Sequence, residues 1–383
     1  MLEGTNVVLG VTGSVAAVTV VELVHELRRQ GATVRAFMTE AAEGIVHPDA
    51  VEYATGAPVV TELSGAVEHV DYCGIDGWGD VCLVAPATAN TIGKIGGGID
   101  DTPVTTAVTT ALGADTPVVV APAMHEGMFD HPAVGANLDT LKEWGVSIVP
   151  PRIEEGKAKI ASAEAIALET ARASSPSELA DTNIVVTSGA TAEPIDPVRV
   201  LTNRASGRTG RAIAKALYVR GAAVTLIHDG SEVPYAEVET VLTAAEMTTA
   251  ALDYAETADV LISAAAISDF TVEPAAEKLD SGRSQSLELQ PVGKLIEAVT
   301  ETYPALPIVA FKLESDAEYL LEAARELRDR LDLPLVVANH VESMGGSTTA
   351  ATLVTRSDTR HVEGSKADLG RAVAESLVDV LQS

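Results

Sequence analysis

Two stretches of the sequence hold residue types suited to cradling a phosphate. The first runs Val7-Val8-Leu9-Gly10-Val11-Thr12-Gly13-Ser14-Val15-Ala16-Ala17. The second begins Ile184-Val185-Val186-Thr187-Ser188-Gly189-Ala190-Thr191 and continues to Asn203-Arg204-Ala205-Ser206-Gly207-Arg208-Thr209-Gly210. Each reads as a buried strand, a turn of small residues and then a helix. Such a turn aims backbone N–H groups and the positive helix end at an anion. One turn in each half predicts two linked activities on phosphorylated molecules.

The elements that must position these turns follow from hydrophobic periodicity. Strands are expected at 6–11, 33–38, 81–85, 116–121 and 146–150, with helices at 15–30 and 162–170 and a helix start at 39–42. After the Ser- and Pro-bearing stretch Ala173-Ser174-Ser175-Pro176-Ser177 the alternation restarts. Strands are expected at 184–188, 223–227, 260–264, 308–311 and 335–338. Helices are expected at 209–220, 244–256, 294–302, 317–331 and 369–381. This rhythm predicts an α/β protein with two Rossmann-like, three-layer αβα domains, residues 1–172 and 183–383, joined by a linker at 173–182. Ligands are expected at the carboxyl ends of the strands.

Composition narrows the class. At 383 residues, the chain is long enough for several cores, and with 46% apolar but 3% aromatic residues those cores are aliphatic. Two cysteines, Cys73 and Cys82, exclude a disulfide framework and a Cys-based zinc site. No signal peptide or membrane-spanning run is apparent, so a soluble protein of a reducing cytoplasm is expected, with no membrane partner. The formal net charge of -29 opposes nucleic-acid binding. The acids are spread along the chain, as in proteins of very salty cytoplasm.

Further motifs sit where strands end. Asp80-Val81-Cys82-Leu83-Val84-Ala85-Pro86-Ala87-Thr88-Ala89-Asn90 places Thr88 and Asn90 in a polar turn, and Ala121-Pro122-Ala123-Met124-His125 closes another strand. With His69 ahead of them, these pieces resemble the phosphopantothenoylcysteine decarboxylases of the flavin-binding Cys-decarboxylase family across nearly all of residues 5–160. The resemblance implies a flavodoxin-like fold and a bound FMN, held by Gly13, Ser14, Thr39, Thr88 and Asn90. It implies loss of CO₂ from a C-terminal cysteine carboxylate. A β-thiol offers no electron sink for that loss, and oxidation to a thioaldehyde by flavin supplies one. His69 would assist proton removal. Met124 and His125 would bind substrate, with His125 where the family usually has Asn. Bacterial members use a flap Cys as proton donor. Here Pro151-Arg152-Ile153-Glu154-Glu155-Gly156-Lys157-Ala158-Lys159-Ile160 has none, so Lys157 or Lys159 acts as donor or phosphate ligand, or the stretch is a plain surface loop.

The second half resembles phosphopantothenate–cysteine ligases over residues 183–383. The resemblance rests on Asp196-Pro197-Val198-Arg199 followed by Asn203-x-x-Ser206-Gly207, on Ser263-Ala264-Ala265-Ala266-Ile267-Ser268-Asp269, Glu277-Lys278, Ala310-Phe311-Lys312 and Ala338-Asn339. A plain NAD dehydrogenase is the competing reading, but the loop from Ser188 to Ser206 is too long for G-x-G-x-x-G. The resemblance implies that 4′-phosphopantothenate, cysteine and CTP are joined through an acyl-cytidylate, with Mg²⁺ on the triphosphate. Lys278 would stabilise developing charge, and Asn203 would bind the acyl intermediate. Ser206, Gly207 and Gly210 would hold phosphate. Ala265, Ala266 and Asp269 would line ribose and base, with Phe311 beside the base. Metal ligands are not identified.

Together the halves imply a bifunctional enzyme of coenzyme A biosynthesis that is a homo-oligomer, trimeric through the first half and dimeric through the second. One alternative stays open: an active ligase whose first half is a non-catalytic flavin-binding or regulatory module.

Overall fold

The computed structural model describes residues 1–316, 318–340 and 348–382. It divides into two compact units, Met1–Ser175 and Pro176–Ser383.

The first unit is built on β1 (Asn6–Val11), β2 (Thr33–Met38), β3 (Val81–Ala87), β4 (Val118–Pro122) and β6 (Ser147–Ile148), in the spatial order β2-β1-β3-β4-β6. Every pairing is parallel. All seven residues of β3 are buried, as expected of a strand covered on both faces by helices. A separate antiparallel sheet, β5-β8-β7, is formed by β5 (Met124–His125), β7 (Arg152–Glu154) and β8 (Lys157–Lys159). The chain winds outward from β1 in both directions, so a crevice opens at the carboxyl ends of β1 and β3.

The second unit carries the sheet order β13-β12-β9-β14-β17-β18-β19-β20. Its strands are β9 (Asn183–Thr187), β12 (Ala223–His228), β13 (Glu237–Thr240), β14 (Val260–Ser263), β17 (Ile308–Glu314), β18 (Leu335–His340), β19 (Thr348–Thr355) and β20 (Thr359–Ser365). The first six in that order are parallel, with the dinucleotide-fold order and a crevice between β9 and β14. Strand alternation sorts the core onto two faces. Ile184 and Val186 pack with the helices Arg208–Val219 and Lys366–Gln382. Val185 packs on the other face with the helix Ala244–Ala255. Two short antiparallel pairs complete the unit: β10 (Ala192–Pro194) with β11 (Val200–Thr202), and β15 (Phe270–Thr271) with β16 (Gln290–Pro291). Among the described residues no helix is long and apolar enough to cross a membrane.

The structure departs from the sequence reading in several places. The helix expected over 15–30 is a 3₁₀ turn, Val15–Thr19, then an α-helix, Val20–Arg29. The β-branched Val15, Val18 and Thr19 disfavour a regular α-helical first turn. The stretch 173–182 is not a free linker. The helix Ala163–Ser174 takes its first two residues, and Leu179, 1% exposed, enters the core of the second unit. The antiparallel β19 and β20 were not anticipated. The helix expected from Ala317 is described from Leu320 to Leu331, and Ala317 itself lies outside the described residues.

Leu217 is fully buried between the sheet and the helix Lys366–Gln382. Leu217→Ala should lower the stability of the second unit by about 2–5 kcal/mol in chemical denaturation. A loss below about 1 kcal/mol would place that side chain outside the core.

Candidate active sites

In the first unit, a cavity of about 890 Å³ lies at the carboxyl ends of β1, β2, β3 and β4. Gly13, Ser14, Thr39, Thr88, Asn90, Met124 and His125 all line it. Three of these have one local job in common. Ser14, Thr39 and Thr88 are N-cap residues whose side chains accept from Ala16, Ala42 and Thr91 N–H groups. Thr102, also at the cavity, caps the helix Pro103–Gly113. The N-terminal ends of several helices therefore converge on one space, and their first N–H groups have no intrahelical partner.

Side-chain hydrogen bonds lock these turns together. Thr12 Oγ1 donates to the Pro86 carbonyl at 2.7 Å and accepts from the Thr88 N–H at 3.1 Å. Ser14 Oγ donates to the Ala123 carbonyl at 3.1 Å. Gly13 has no room for a side chain, because a Cβ there would stand 2.5 Å from the Cβ of Ala41.

Cations also gather at this cavity. Lys94, Arg152, Lys157 and Lys159 line it. Lys94 is paired with Asp101 at 2.7 Å, and Lys159 with Glu154 and Glu155 at 3.1 and 3.0 Å. Lys157 stands directly across from His125 in the β5–β8 pairing. His69 does not line the cavity. It lies on the short helix Glu68–Cys73. Cys73 and Cys82 are buried core residues. The Cys82 thiol donates a hydrogen bond to Cys73, and this bond together with burial pushes it well above its ordinary range; both thiols are buried, so neither stands in for the missing flap cysteine.

The second unit has two adjoining cavities at the β9/β14 switch point. The smaller, about 160 Å³, is lined by Ser206, Gly207, Gly210, Ala265, Ala266, Phe311, Lys312, Asn339 and Lys366. The larger, about 1250 Å³, includes Asn203, Ala265, Ala266, Asp269, Lys294 and Phe311. Asn203 Nδ2 donates to the carbonyls of Ala266 and Ile267 at 3.0 and 3.3 Å, which ties the two loops together. Asp269 forms an ion pair with Lys294.

Lys278 lines neither cavity and is exposed. Its segment is anchored by the Asp-Pro-Val-Arg motif. The buried Asp196 accepts from the N–H groups of Val198, Arg199 and Leu279 and from the Arg199 guanidinium, all within 3.1 Å. Arg199 also donates to the Leu279 carbonyl at 3.2 Å. Burial alone would raise the Asp196 pKa, but these donors outweigh it and hold the carboxyl below its usual range. Leu279 is thus gripped at both its N–H and its C=O, one residue from Lys278.

Sequence reasoning gave no role to three cavity lysines, Lys294, Lys312 (quoted only within a motif) and Lys366. The signal was scarcity. The chain has nine lysines, and six of them, Lys94, Lys157, Lys159, Lys294, Lys312 and Lys366, line these cavities.

Residues 1–174 match the family model described as Flavoprotein, and residues 179–381 match that of the DNA/pantothenate metabolism flavoprotein C-terminal domain. Over 93% of its length the chain is 48% identical to the coenzyme A biosynthesis bifunctional protein CoaBC of Thermococcus kodakarensis, covering 90% of that protein. The protein of the same name from Methanocaldococcus jannaschii is 34% identical over the whole chain and 96% of its own length. That of Escherichia coli is 33% identical over 89% of this chain and 87% of its own. The chain belongs to the family of bifunctional coenzyme A biosynthesis proteins, with the flavoprotein module first and the ligase module second.

Proposed function

We propose that the second unit joins 4′-phosphopantothenate to cysteine at the cost of CTP, and that the first unit removes CO₂ from the product to give 4′-phosphopantetheine. The observation that carries this reading is that each unit opens its cavity at its own switch point, beside a glycine turn that begins a helix. Both turns present backbone N–H groups to an anion.

FMN fits the first cavity. The tightly packed Gly13 turn and the capped helix starts at Ser14, Thr39 and Thr88 suit a phosphate, and about 890 Å³ suits a flavin mononucleotide with part of a substrate. The bound isoalloxazine supplies the electron sink that a β-thiol acid lacks. The chain's own residues orient the substrate. Met124 and His125 meet it at the end of β4, and His125 donates to its carboxylate. Lys157, across from His125, supplies a cation for the substrate or a proton for the product.

His69 reaches the chemistry from a second copy of the chain. Val67, Val70 and Ile75 beside it are exposed, and so are Val15 and Val18 at the cavity. Exposed apolar side chains on so acidic a protein fit a subunit contact. The assembly is a homo-oligomer working in a reducing cytoplasm.

In the second unit the pantothenate carboxylate attacks the α-phosphorus of CTP and displaces pyrophosphate. Cysteine's amine then attacks the acyl carbon and releases CMP. Asn203 holds the acyl intermediate, the 206–210 turn holds phosphate, and Phe311 flanks the base. Lys278 balances charge as the anhydride forms. Mg²⁺ would be carried by the triphosphate, whose clustered anionic oxygens suit a hard cation.

The reading is tested by incubating the protein with phosphopantothenate, cysteine, CTP and Mg²⁺ and weighing the products. His69→Asn should abolish CO₂ release at least about a hundredfold and leave ligation intact. Loss of both activities would argue against separable sites, and a colourless protein that never takes up FMN would remove the first half of the proposal. Lys278→Gln should slow ligation about a hundredfold or more while flavin absorbance persists. Ligation at the unmodified rate would take Lys278 out of the mechanism.

A further inference from the structure

A buried histidine that these reactions do not use lies directly against the second phosphate turn. His228, the last residue of β12, is 1% exposed. A Cβ on Gly207 would stand 2.7 Å from its Cε1, and one on Gly189 would stand 3.1 Å from its Nδ1. Both glycines have positive φ, +67° and +83°. The imidazole therefore packs against the two turns at once, in space that a side chain on either would occupy.

Its polar contacts run the same way. Nε2 is 3.0 Å from Nη1 of Arg211. A guanidinium only donates, so Nε2 accepts and the neutral ring carries its proton on Nδ1. Nδ1 is 3.1 Å from Asp229 Oδ1, at an angle that makes no hydrogen bond. Burial holds the ring's pKa below its ordinary value. The Asp229 charge and the Ser188 backbone oppose that shift, and the Arg211 charge adds to it. Tyr235, close to Arg211, is itself pushed up by burial and stays a neutral phenol.

Arg211 carries the effect to the loop. Its Nη2 donates to the Ser206 carbonyl at 2.9 Å. In a trans peptide the C=O and N–H point in opposite directions. Gripping the Ser206 carbonyl turns the Gly207 N–H away from Arg211, and Ser206 and Gly207 both line the smaller cavity.

We infer that His228 is a positioning residue for the nucleotide phosphates: its ring supports the 206–210 turn, and its Nε2 fixes Arg211, which sets the Ser206–Gly207 peptide. This rests on the proposed role of that turn as the nucleotide's phosphate site. The device touches no reacting atom, so its loss falls on nucleotide affinity rather than on chemistry.

The test uses the full chain and varies CTP at saturating phosphopantothenate and cysteine. His228→Leu and Arg211→Ala should each raise the KM for CTP about tenfold and change kcat less than about threefold. The double variant should be no worse than the poorer single one, because both remove one clamp. His228→Gln, whose amide oxygen accepts from Arg211, should recover most of the lost affinity. Arg211 is only half-buried, so Arg211→Ala keeps the test open if His228→Leu fails to fold. An unchanged KM in Arg211→Ala, or effects that multiply in the double variant, would overturn the inference. If the unmodified chain forms no ligation product, the nucleotide reading fails instead.

Discussion

The structure is organised around one electrostatic constraint. A chain with a formal net charge of -29 must hold phosphate. Its surface field repels anions, so the attraction has to be local. On the proposed reading, peptide N–H groups at helix starts provide it without adding a titratable charge. In the first unit, Ser14, Thr39, Thr88 and Thr102 cap four such starts around one cavity. Two-thirds of the lysines gather at the cavities, which leaves the rest of the surface to the acids.

That constraint explains the repeated architecture. A doubly wound parallel sheet places its helix starts at the carboxyl edge and opens a crevice where the winding reverses. Both units use it, with different strand orders: β2-β1-β3-β4-β6 in one, and the dinucleotide order extended by β19 and β20 in the other. The added strands close an edge. On β20 only Val362 is buried, and the polar Arg360, His361 and Glu363 are exposed, as suits an edge that must not pair with another chain.

The parallel strands were legible in the sequence because each is a short aliphatic run between turns, as at Val81–Ala87. The glycine turns and the cap residues of the first cavity were legible for the same local reason. Antiparallel β19 was not, because its Thr- and Ala-rich sequence carries little apolar contrast. Leu179 reads as linker because its neighbours include Ser, Pro and Glu, yet this one buried leucine docks the segment. Within the sites, the sequence pointed to Asn203, Phe311 and the 206–210 turn, which the fold brings together at adjoining cavities. Lys312 stood within a quoted motif but without a role, and Lys294, Lys366 and the His228–Arg211 pair were not singled out, because their places are set by spatial neighbours and no local pattern marks them.

The most direct measurement of the central claim compares FMN with riboflavin as ligands of the first unit in the intact chain, by titration of flavin fluorescence. The two differ only in the phosphate. Several charge-assisted hydrogen bonds from helix-start N–H groups should make FMN bind more than about a hundredfold tighter, with most of that difference surviving at high salt. Equal affinity for the two flavins would contradict the account.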